Sequence, residues 1–488
     1  MKVVFFHPRI ENSFRSSYAP LGIMSIATYL NANGHKAIIC DRYFEKCKVE
    51  ATLKKHNPDI IGVSITSHSF LKDAIVISKA ANKLKIPVVW GGALPSAIPE
   101  EALRSGFVDY ISFNEGEHTW LEMANAFDAG EEFESIKGLG YLKDGKLVHT
   151  GNREFIDLST LPDLDWNLVN PKNYFQKSYG YDRMLGTYMS KGCTGRCAYC
   201  YNPGFHRSTR RCRPLEQVIR EMKYLKENFG ADGFDFTDDL MFANRKEVVD
   251  FCNAIIDAKL DICWSGYLGF GILNDPNDFE LMHKAGCRSM IYGVESASQK
   301  VLKSVNKVVH LDKVKSNVEN CLKAGIIPIT MFIIGLPGED ENDIKTSIAF
   351  AKELKGAAVA CGYFTPLPGT KSYMDSVSSG KMKPLTTLEE HAAVSETEKL
   401  LANVTNVKTV ELITVRKFIR LRGLITRPGD SMKDQFLKVI LSAVKPMFDR
   451  GIIHFIRGGF NAVFNVLRTF TIFLHPKIRK KYGLYFTK

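Results

Sequence analysis

Three cysteines within eight residues form the most distinctive chemical pattern in the chain. Cys193, Cys197 and Cys200 lie in the stretch CTGRCAYC, so their spacing is C-x3-C-x2-C. Three thiolates on one loop can bind three irons of a 4Fe–4S cluster and leave the fourth iron open for another ligand. No second cysteine pair lies nearby in the sequence to complete a four-ligand zinc site, which makes structural zinc the weaker alternative.

Strands and helices alternate around this cysteine pattern. Apolar strand segments occur at LGTYMS, GFDFTD, ICWSGYL, SMIYGVES, PITMFIIG and VACGYFTP. Helical segments lie between them, and the clearest covers 215–229, directly after Pro214. Six such units predict a partial parallel barrel, in which ligands bind at the carboxyl ends of the strands. The cysteines follow the first of these strands.

The cysteine spacing and its place after the first barrel strand resemble the radical S-adenosylmethionine (SAM) superfamily. In that family the open iron binds the amino and carboxylate groups of SAM, and an electron from the cluster cleaves SAM to a 5′-deoxyadenosyl radical. The resemblance extends over residues 184–375. It implies that Tyr199 lies beside the adenine and that at least one of Asp238 and Asp239 accepts the SAM amino group. It also implies that Glu295 contacts the SAM ribose.

The first part of the chain is rich in continuous Val and Ile segments. KVVFF, KAIICD, PDIIGVSIT and IPVVWGG are predicted strands, and helices are predicted at 20–30 and 71–84. Such runs are typical of a parallel sheet covered by helices on both faces, so we predict a doubly wound α/β domain. In such sheets ligands bind at the carboxyl ends of the strands, where this sequence has small and glycine-rich loops.

A doubly wound domain ahead of a radical SAM barrel resembles the cobalamin-binding subclass of that superfamily. PLGIMSIATYL, PDIIGVSITS, VVWGGALPS and NEGEHTW resemble the subclass in the same order, which extends the resemblance to residues 1–375. It implies that the strand-end loops contact cobalamin. The residues concerned are Ser64, Thr66, Gly91, Gly92, Glu115, Gly116 and Glu117. A vestigial domain that binds nothing is the alternative.

One motif of the cobalamin mutases is absent. The D-x-H-x-x-G pattern, which supplies a lower axial histidine there, does not occur, because His7, His35 and His68 lack that spacing. We therefore expect no nitrogen from a protein histidine on the cobalt.

These patterns predict an α/β fold: a doubly wound cobalamin-binding-type domain, a partial (β/α)6 radical SAM barrel and a C-terminal helical basic tail. The predicted boundaries are a cobalamin-binding, Rossmann-like domain at 1–135, a linker with a hairpin at 136–180, the partial barrel at 181–385 and the C-terminal helical basic domain at 386–488.

The positive charge of the chain is concentrated in its tail. The net charge is +12, and residues 401–488 hold 17 Lys and Arg against 4 Asp and Glu. Apolar residues recur there at helical spacing: Phe460, Val463, Phe464, Leu467, Phe470 and Leu474. A basic helix with Phe and Leu on its other face can lie in a membrane interface. The alternative is a helix packed on the barrel with its charges in solvent.

The remaining patterns bear on the cellular context. The chain opens with MKVVFFHPRI, which is not a secretory signal pattern, and it has no run of about 18 apolar residues that would span a membrane. Its 11 cysteines are an odd number, so a disulfide framework is not predicted. We expect a cytoplasmic protein with peripheral membrane contact through 401–488. No RNA-binding module is recognisable, so no nucleic-acid partner is expected.

The resemblance implies C-methylation of a small-molecule, hydrophobic or lipid-like substrate. One SAM would methylate the cobalt, a second would generate the radical, and an electron donor such as flavodoxin or ferredoxin would reduce the cluster. One alternative keeps these cofactors but forms rings or oxidises, as in the anaerobic tetrapyrrole cyclases and lipid-ring enzymes. RNA modification is another. A non-enzymatic electron carrier fits less well, because carriers usually cover all four irons.

Overall fold

The computed structural model describes residues 1–10, 18–44, 48–394, 400–425 and 476–482. The chain divides into two compact units. The described residues of the first unit fall within Met1–Tyr267, Lys284–Gly286 and Pro366–Glu396, and those of the second fall within Leu268–His283, Cys287–Thr365 and Thr397–Lys488.

The first unit begins with a seven-stranded sheet in the order β2-β1-β3-β4-β5-β6-β7. Its strands are β1 (Lys2–His7), β2 (Lys36–Asp41), β3 (Ile60–Ser64), β4 (Val88–Gly91), β5 (Tyr110–Ser112), β6 (Leu139–Lys143) and β7 (Lys146–His149). The first five pair in parallel. The β6–β7 hairpin, predicted within the linker, extends the sheet because β6 pairs antiparallel with β5.

Helices cover both faces of this sheet. They are α1 (Leu21–Ala32), α2 (Val49–His56), α3 (Leu71–Lys83), α4 (Ala93–Ala97), α5 (Pro99–Leu103) and α6 (Glu117–Ala129). Helix α1 packs against α6, and α2 packs against α3. Neighbouring residues of β1 point to opposite faces: Phe5 contacts Trp120 of α6, whereas Phe6 joins the core that contains Ile77 of α3. Burial on both faces explains why these strands are continuous apolar runs.

The first half of the predicted barrel also belongs to the first unit. Its strands are β8 (Gln176–Ser178), β9 (Tyr181–Thr187), β10 (Ser190–Lys191), β11 (Arg211–Cys212), β12 (Gly233–Phe236) and β13 (Cys263–Tyr267). Its helices are α7 (Asn202–Phe205), α8 (Leu215–Phe229), α9 (Arg245–Asp257), α14 (Lys371–Ser378) and α15 (Leu388–Ala392). Strands β9, β12 and β13 pair in parallel. Rings of Phe236 and Trp264 meet Phe251 of α9, which fixes that helix on the outer face.

The second unit supplies three more parallel strands. They are β14 (Cys287–Glu295), β15 (Ile327–Ile334) and β16 (Ala358–Tyr363). The helices that begin in this unit are α10 (Pro276–Lys284), α11 (Gln299–Ser304), α12 (Leu311–Lys323), α13 (Glu341–Glu353), α16 (Thr409–Ile425) and α17 (Pro476–Lys481). The six barrel strands predicted from the sequence therefore form, three in each unit.

The described parts of the basic tail are packed helices. Helix α16 lies on β16, and its Leu412, Val415 and Phe418 are buried. Arg416 stacks over Tyr363, with its guanidinium carbon 4.4 Å from the ring centre. Lys481 of α17 pairs with Glu411 at 3.0 Å. These two cations therefore have partners within the protein, and the membrane contact expected of 401–488 stays a prediction.

The predicted apolar stripe from Phe460 to Leu474 lies outside the described residues. Among the residues that are described, no helix combines the length and apolar character needed to cross a membrane.

A buried histidine pair attaches α15 to the first sheet. Nδ1 of His391 lies 3.3 Å from Nε2 of His68, which follows β3, and the two rings stack. Burial and the neighbouring His68 lower the pKa of His391 from 6.5 to about 4. The folded state therefore holds His391 neutral, so its contribution to stability is present above pH 6.5 and is lost as the pH falls towards 4.

We expect His391→Gln to flatten the acid branch of the stability profile. The thermal unfolding temperature of the parent protein should fall more steeply between pH 6.5 and about pH 4 than that of the variant. His310→Gln, at an exposed position of the second unit, is the control and should retain the parental slope. Equal slopes for the parent and His391→Gln would contradict this prediction.

Candidate active site at the cysteine loop

The loop between β9 and α8, residues 188–213, is held at both ends; we call it the cysteine loop. Strands β10 and β11 pair Ser190 with Cys212 and Lys191 with Arg211, which closes the base of the loop. Gly192 has a φ of +83°, and a Cβ there would lie 2.1 Å from the carbonyl oxygen of Thr209. Only glycine fits such a position, so the backbone is fixed where the three cysteines begin.

The three cysteines are half-buried, and their surroundings suit thiolates. A Cβ on Gly195 would lie 3.3 Å from the sulfur of Cys193 and 3.8 Å from that of Cys197, so this glycine leaves room between two sulfurs. The Gly195 N–H donates to Cys193 at 3.3 Å, and the Asn202 N–H donates to Cys200 at 3.4 Å. Hydrogen bonds of this kind accompany cluster-bound sulfur.

The free loop must lose protons to bind metal. Burial raises the pKa of Cys200 to about 12, against the opposing effect of the Asn202 N–H, so the thiol carries its proton until a metal displaces it. Nowhere in the described ranges do three His, Cys, Asp or Glu side chains converge on one metal ion. The three thiols of the cysteine loop suit a 4Fe–4S cluster, because each thiolate of such a site binds a different iron.

The two aspartates at the end of β12 have different surroundings. Asp238 is buried and accepts the backbone N–H of Met189 at 3.1 Å and the Ser190 hydroxyl at 2.6 Å. Burial raises its pKa to about 6, despite those hydrogen bonds. Its contacts are structural, because they tie the cysteine loop to β12.

Asp239 is the better placed of the two to accept the SAM amino group. Its side chain is 28% exposed. It accepts the Tyr201 hydroxyl at 2.9 Å and the side-chain N–H of Asn202 at 3.0 Å, so its carboxylate lies beside the residues that follow Cys200.

Tyr199 is half-buried between the second and third cysteines. The neighbouring carbonyl of Ala198 accepts the backbone N–H of Ser372 at 2.9 Å. Helix α14 thereby fixes the loop next to the ring predicted to lie beside the adenine.

Glu295, predicted to contact the ribose, ends β14 in the second unit. Its backbone has a φ of +63°, and the register with β15 shifts between Gly293 and Glu295. This conformation costs roughly 1–2 kcal/mol for a residue with a side chain, and such strain concentrates at ligand sites. Its carboxylate lies 3.5 Å from the Lys307 ammonium. The strain supports the predicted role, which stays a prediction.

The glycine-rich loops of the first sheet leave a cradle at the carboxyl ends of its strands. Gly92 has a φ of +108°, and a Cβ there would lie 2.6 Å from the Ile65 carbonyl oxygen. A Cβ on Gly116 would lie 2.8 Å from the side chain of Ile26. Ser64 is half-buried and Thr66 is exposed, in the loop that follows β3.

Ser112 carries a polar atom that needs a partner in this cradle. It pairs with Gly91 across β4 and β5 and is buried. Its hydroxyl oxygen has no hydrogen bond to any residue that the structure describes. Buried hydroxyls normally have a partner, so the loops fit a cofactor with polar groups, as cobalamin has. Sequence reasoning missed Ser112, because a serine at a strand end carries no signal by itself.

Glu115 and Glu117 face the cysteine loop. Arg211 donates to Glu115 at 2.9 Å, and Lys191 donates to Glu117 at 2.6 Å. Burial opposes the ionisation of Glu115, but the nearby His206, Lys191 and Arg211 outweigh it and lower the pKa to about 2. Both carboxylates therefore link the loop after β5 to the cysteine loop. Their direct contact with cobalamin stays a prediction.

We expect Gly92→Ala to weaken cobalamin binding by at least about tenfold. Alanine at a positive φ costs roughly 1–2 kcal/mol, and its Cβ would also overlap the Ile65 carbonyl, which moves the loop. Gly22→Ala is the matched control, since no atom lies within 4 Å of its added Cβ and α1 tolerates alanine. Equilibrium dialysis of hydroxocobalamin measures both variants, and equal affinities would contradict the prediction.

Comparison with known families finds two separate matches along the chain, one for each predicted cofactor-binding domain. Residues 10–124 match the B12 binding domain, and residues 187–351 match the Radical SAM superfamily. The chain is a radical SAM enzyme with a B12-binding domain. The predicted order of a cobalamin-binding-type domain followed by a radical SAM domain with a partial barrel is thereby confirmed.

Relatives of this radical SAM protein include methyltransferases and a cyclase. It is 27% identical over 390 residues to an uncharacterized methyltransferase of Pyrococcus horikoshii. That alignment covers 78% of this chain and 84% of the relative. It is 24% identical over 382 residues to the anaerobic magnesium-protoporphyrin IX monomethyl ester cyclase of Rubrivivax gelatinosus, covering 75% of this chain and 68% of that protein.

A solved structure shares the fold. The radical SAM methyltransferase TsrM from Kitasatospora setae, with cobalamin and a [4Fe-4S] cluster bound, superposes with a TM-score of 0.67 at 16% identity. The alignment covers 87% of this chain and 95% of that chain.

Proposed function

We propose that this protein uses a 4Fe–4S cluster, SAM and cobalamin to methylate an unactivated carbon of a hydrophobic small molecule. The observation that carries the proposal is the pairing of Glu115 and Glu117, after β5, with Arg211 and Lys191 of the cysteine loop. These ion pairs hold the loop after β5 against the cysteine loop, which supports a reaction that needs both predicted cofactors near one substrate.

The residues of the chain hold and orient the groups. Cys193, Cys197 and Cys200 would bind the cluster, and Asp239 would accept the SAM amino group through a charge-assisted hydrogen bond. When bound, the cluster and SAM supply a hydrogen-abstracting radical, and cobalamin supplies the methyl group. Fixed geometry is the protein's main contribution, because orientation and the exclusion of water limit side reactions of a radical.

A hydrophobic or lipid-like substrate is the finer part of the proposal. The cyclase relative is named for a porphyrin ester, a large apolar ring system, and a methyltransferase relative is named for a bacteriochlorophyllide. We further propose a cytoplasmic protein that touches membranes through 401–488, takes electrons from flavodoxin or ferredoxin, and has no nucleic-acid partner.

Ring formation or oxidation is the second candidate function. It is favoured by the Rubrivivax gelatinosus cyclase, which aligns with 75% of this chain at 24% identity, close to the values for the methyltransferase relative. It requires the same cluster, SAM and cobalamin sites, so the residues described above do not separate the two reactions.

The products of SAM separate them. Anaerobically reconstituted, cobalamin-loaded protein is incubated with methyl-labelled SAM, a reductant and extracts of hydrophobic small molecules. Methylation predicts a labelled product, with S-adenosylhomocysteine and 5′-deoxyadenosine formed in equal amounts. Ring formation or oxidation predicts 5′-deoxyadenosine without labelled product. Absence of both products would contradict the proposal.

A further inference from the structure

One imidazole lies between the two predicted cofactor sites. His206 follows α7 on the cysteine loop and is 7% exposed. Its Nδ1 lies 3.4 Å from Glu115, after β5, and its Nε2 lies 3.9 Å from Asp239, at the end of β12. We propose that His206 is a positioning residue that couples cobalamin binding to SAM binding. The inference rests on the proposed function, since it needs both cofactors.

On the cobalamin side, His206 contacts Glu115 in the loop that follows β5. Glu115 is one residue before Gly116 of the glycine cradle, so a cofactor that moves this loop moves the carboxylate. Asn114 reinforces the connection: its side-chain N–H donates to the carbonyl of Phe205, next to His206, at 2.6 Å. A displacement of the loop after β5 would therefore also move the C-terminal end of α7.

On the SAM side, His206 faces the carboxylate predicted to accept the SAM amino group. Asp239 is already held by Tyr201 at 2.9 Å and by Asn202 at 3.0 Å. Asn202 in turn accepts the backbone N–H of Cys193 at 3.3 Å. A shift of the imidazole thus reaches a network that includes a cluster cysteine, without a direct bond between His206 and any cysteine.

The contact between Nδ1 of His206 and Glu115 is long enough to shorten further. Its buried Nδ1 forms no hydrogen bond of good geometry with the residues that the structure describes. A buried polar atom without a hydrogen bond is costly, so a closer approach to Glu115 would be stabilising. Contacts of this kind are often long in cofactor-free proteins and shorten when ligands bind. A sub-ångström closure would draw the loop of Glu115 and the site of Asp239 together.

Coupling is measured as the ratio of SAM dissociation constants with and without cobalamin. The full chain is reconstituted with its cluster, kept oxidised so that SAM is not cleaved, and titrated with SAM in the absence and presence of saturating hydroxocobalamin. In the parent protein we expect cobalamin to tighten SAM binding by on the order of tenfold, within the usual range for coupled sites. In His206→Gln the ratio should fall to about one, while the SAM affinity without cobalamin stays close to that of the parent.

A second variant, Glu115→Gln, keeps the test decisive if His206→Gln folds poorly. Glu115→Gln retains an acceptor for Arg211 but weakens the contact with His206. In this variant, too, the ratio of SAM dissociation constants should fall to about one. The double variant should add nothing beyond either single variant, because the two residues act on one path. His310→Gln, exposed in the second unit, should keep the full ratio.

The outcomes separate this inference from the proposed function. A ratio that survives in both His206→Gln and Glu115→Gln overturns the inference, and so does a parent protein that binds both cofactors independently; neither result touches the proposed function. A parent protein that binds no cobalamin or no SAM overturns both.

Discussion

Replacing any one of Cys193, Cys197 and Cys200 with alanine is expected to remove the iron–sulfur cluster and SAM cleavage together. Two thiolates cannot hold the cluster with one iron open, and the backbone donors at Gly195 and Asn202 would then face solvent or an incomplete site. Iron and sulfide analysis after anaerobic reconstitution measures the loss, and cluster iron should fall by more than about tenfold relative to the parent protein.

The matched control is Cys212→Ala. Cys212 is exposed on β11 and lies outside the three-cysteine spacing, so its replacement should leave iron content and 5′-deoxyadenosine production unchanged. Full iron content and full SAM cleavage in Cys193→Ala would contradict the assignment of the cysteine loop.

The largest effect on stability is expected for Arg213→Met. The guanidinium of Arg213 donates to Glu221 at 2.5 Å and to the Tyr188 carbonyl at 2.9 Å, and both charged side chains are 3% exposed. Methionine would fill the space but leave Glu221 buried without its cation, which typically costs about 3–5 kcal/mol. Urea unfolding of the apoprotein, followed by circular dichroism, measures the difference.

A neighbouring pair provides the control for burial. Arg220 donates to Asp163 at 3.0 Å, but these side chains are 60% and 49% exposed. Exposed pairs contribute at most about 1 kcal/mol, so Arg220→Met should barely shift the urea midpoint. Similar shifts for the two variants would show that Glu221 is not isolated by the loss of Arg213.

The strands and the three cysteines were predictable because their signals are local. Continuous Val and Ile runs such as KVVFF and IIGVS report burial on both faces of a sheet, and the cysteine spacing needs only eight residues of sequence. The β6–β7 hairpin was also recognised as a hairpin. Its edge pairing with β5 was not, because strand pairing depends on partners that a local pattern does not name.

The partners of the site residues were not predictable for the same reason. Arg211 and Glu115 are 96 residues apart, and Lys191 and Glu117 are 74 apart. Sequence spacing cannot show that such residues meet. Nor does it show that the buried Ser112 hydroxyl has no hydrogen-bond partner in the described part of the chain, or that Glu295 adopts a positive φ. These features arise only when the sheet and the loops are assembled.

Detection of 5′-deoxyadenosine tests the central claim most directly. The purified chain is reconstituted anaerobically, reduced with dithionite and incubated with SAM, and the nucleoside products are separated by mass spectrometry. We predict 5′-deoxyadenosine that requires both the reductant and the cluster. Intact SAM in a sample that has bound its full complement of cluster iron and has been reduced would contradict the assignment of this chain as a radical SAM enzyme.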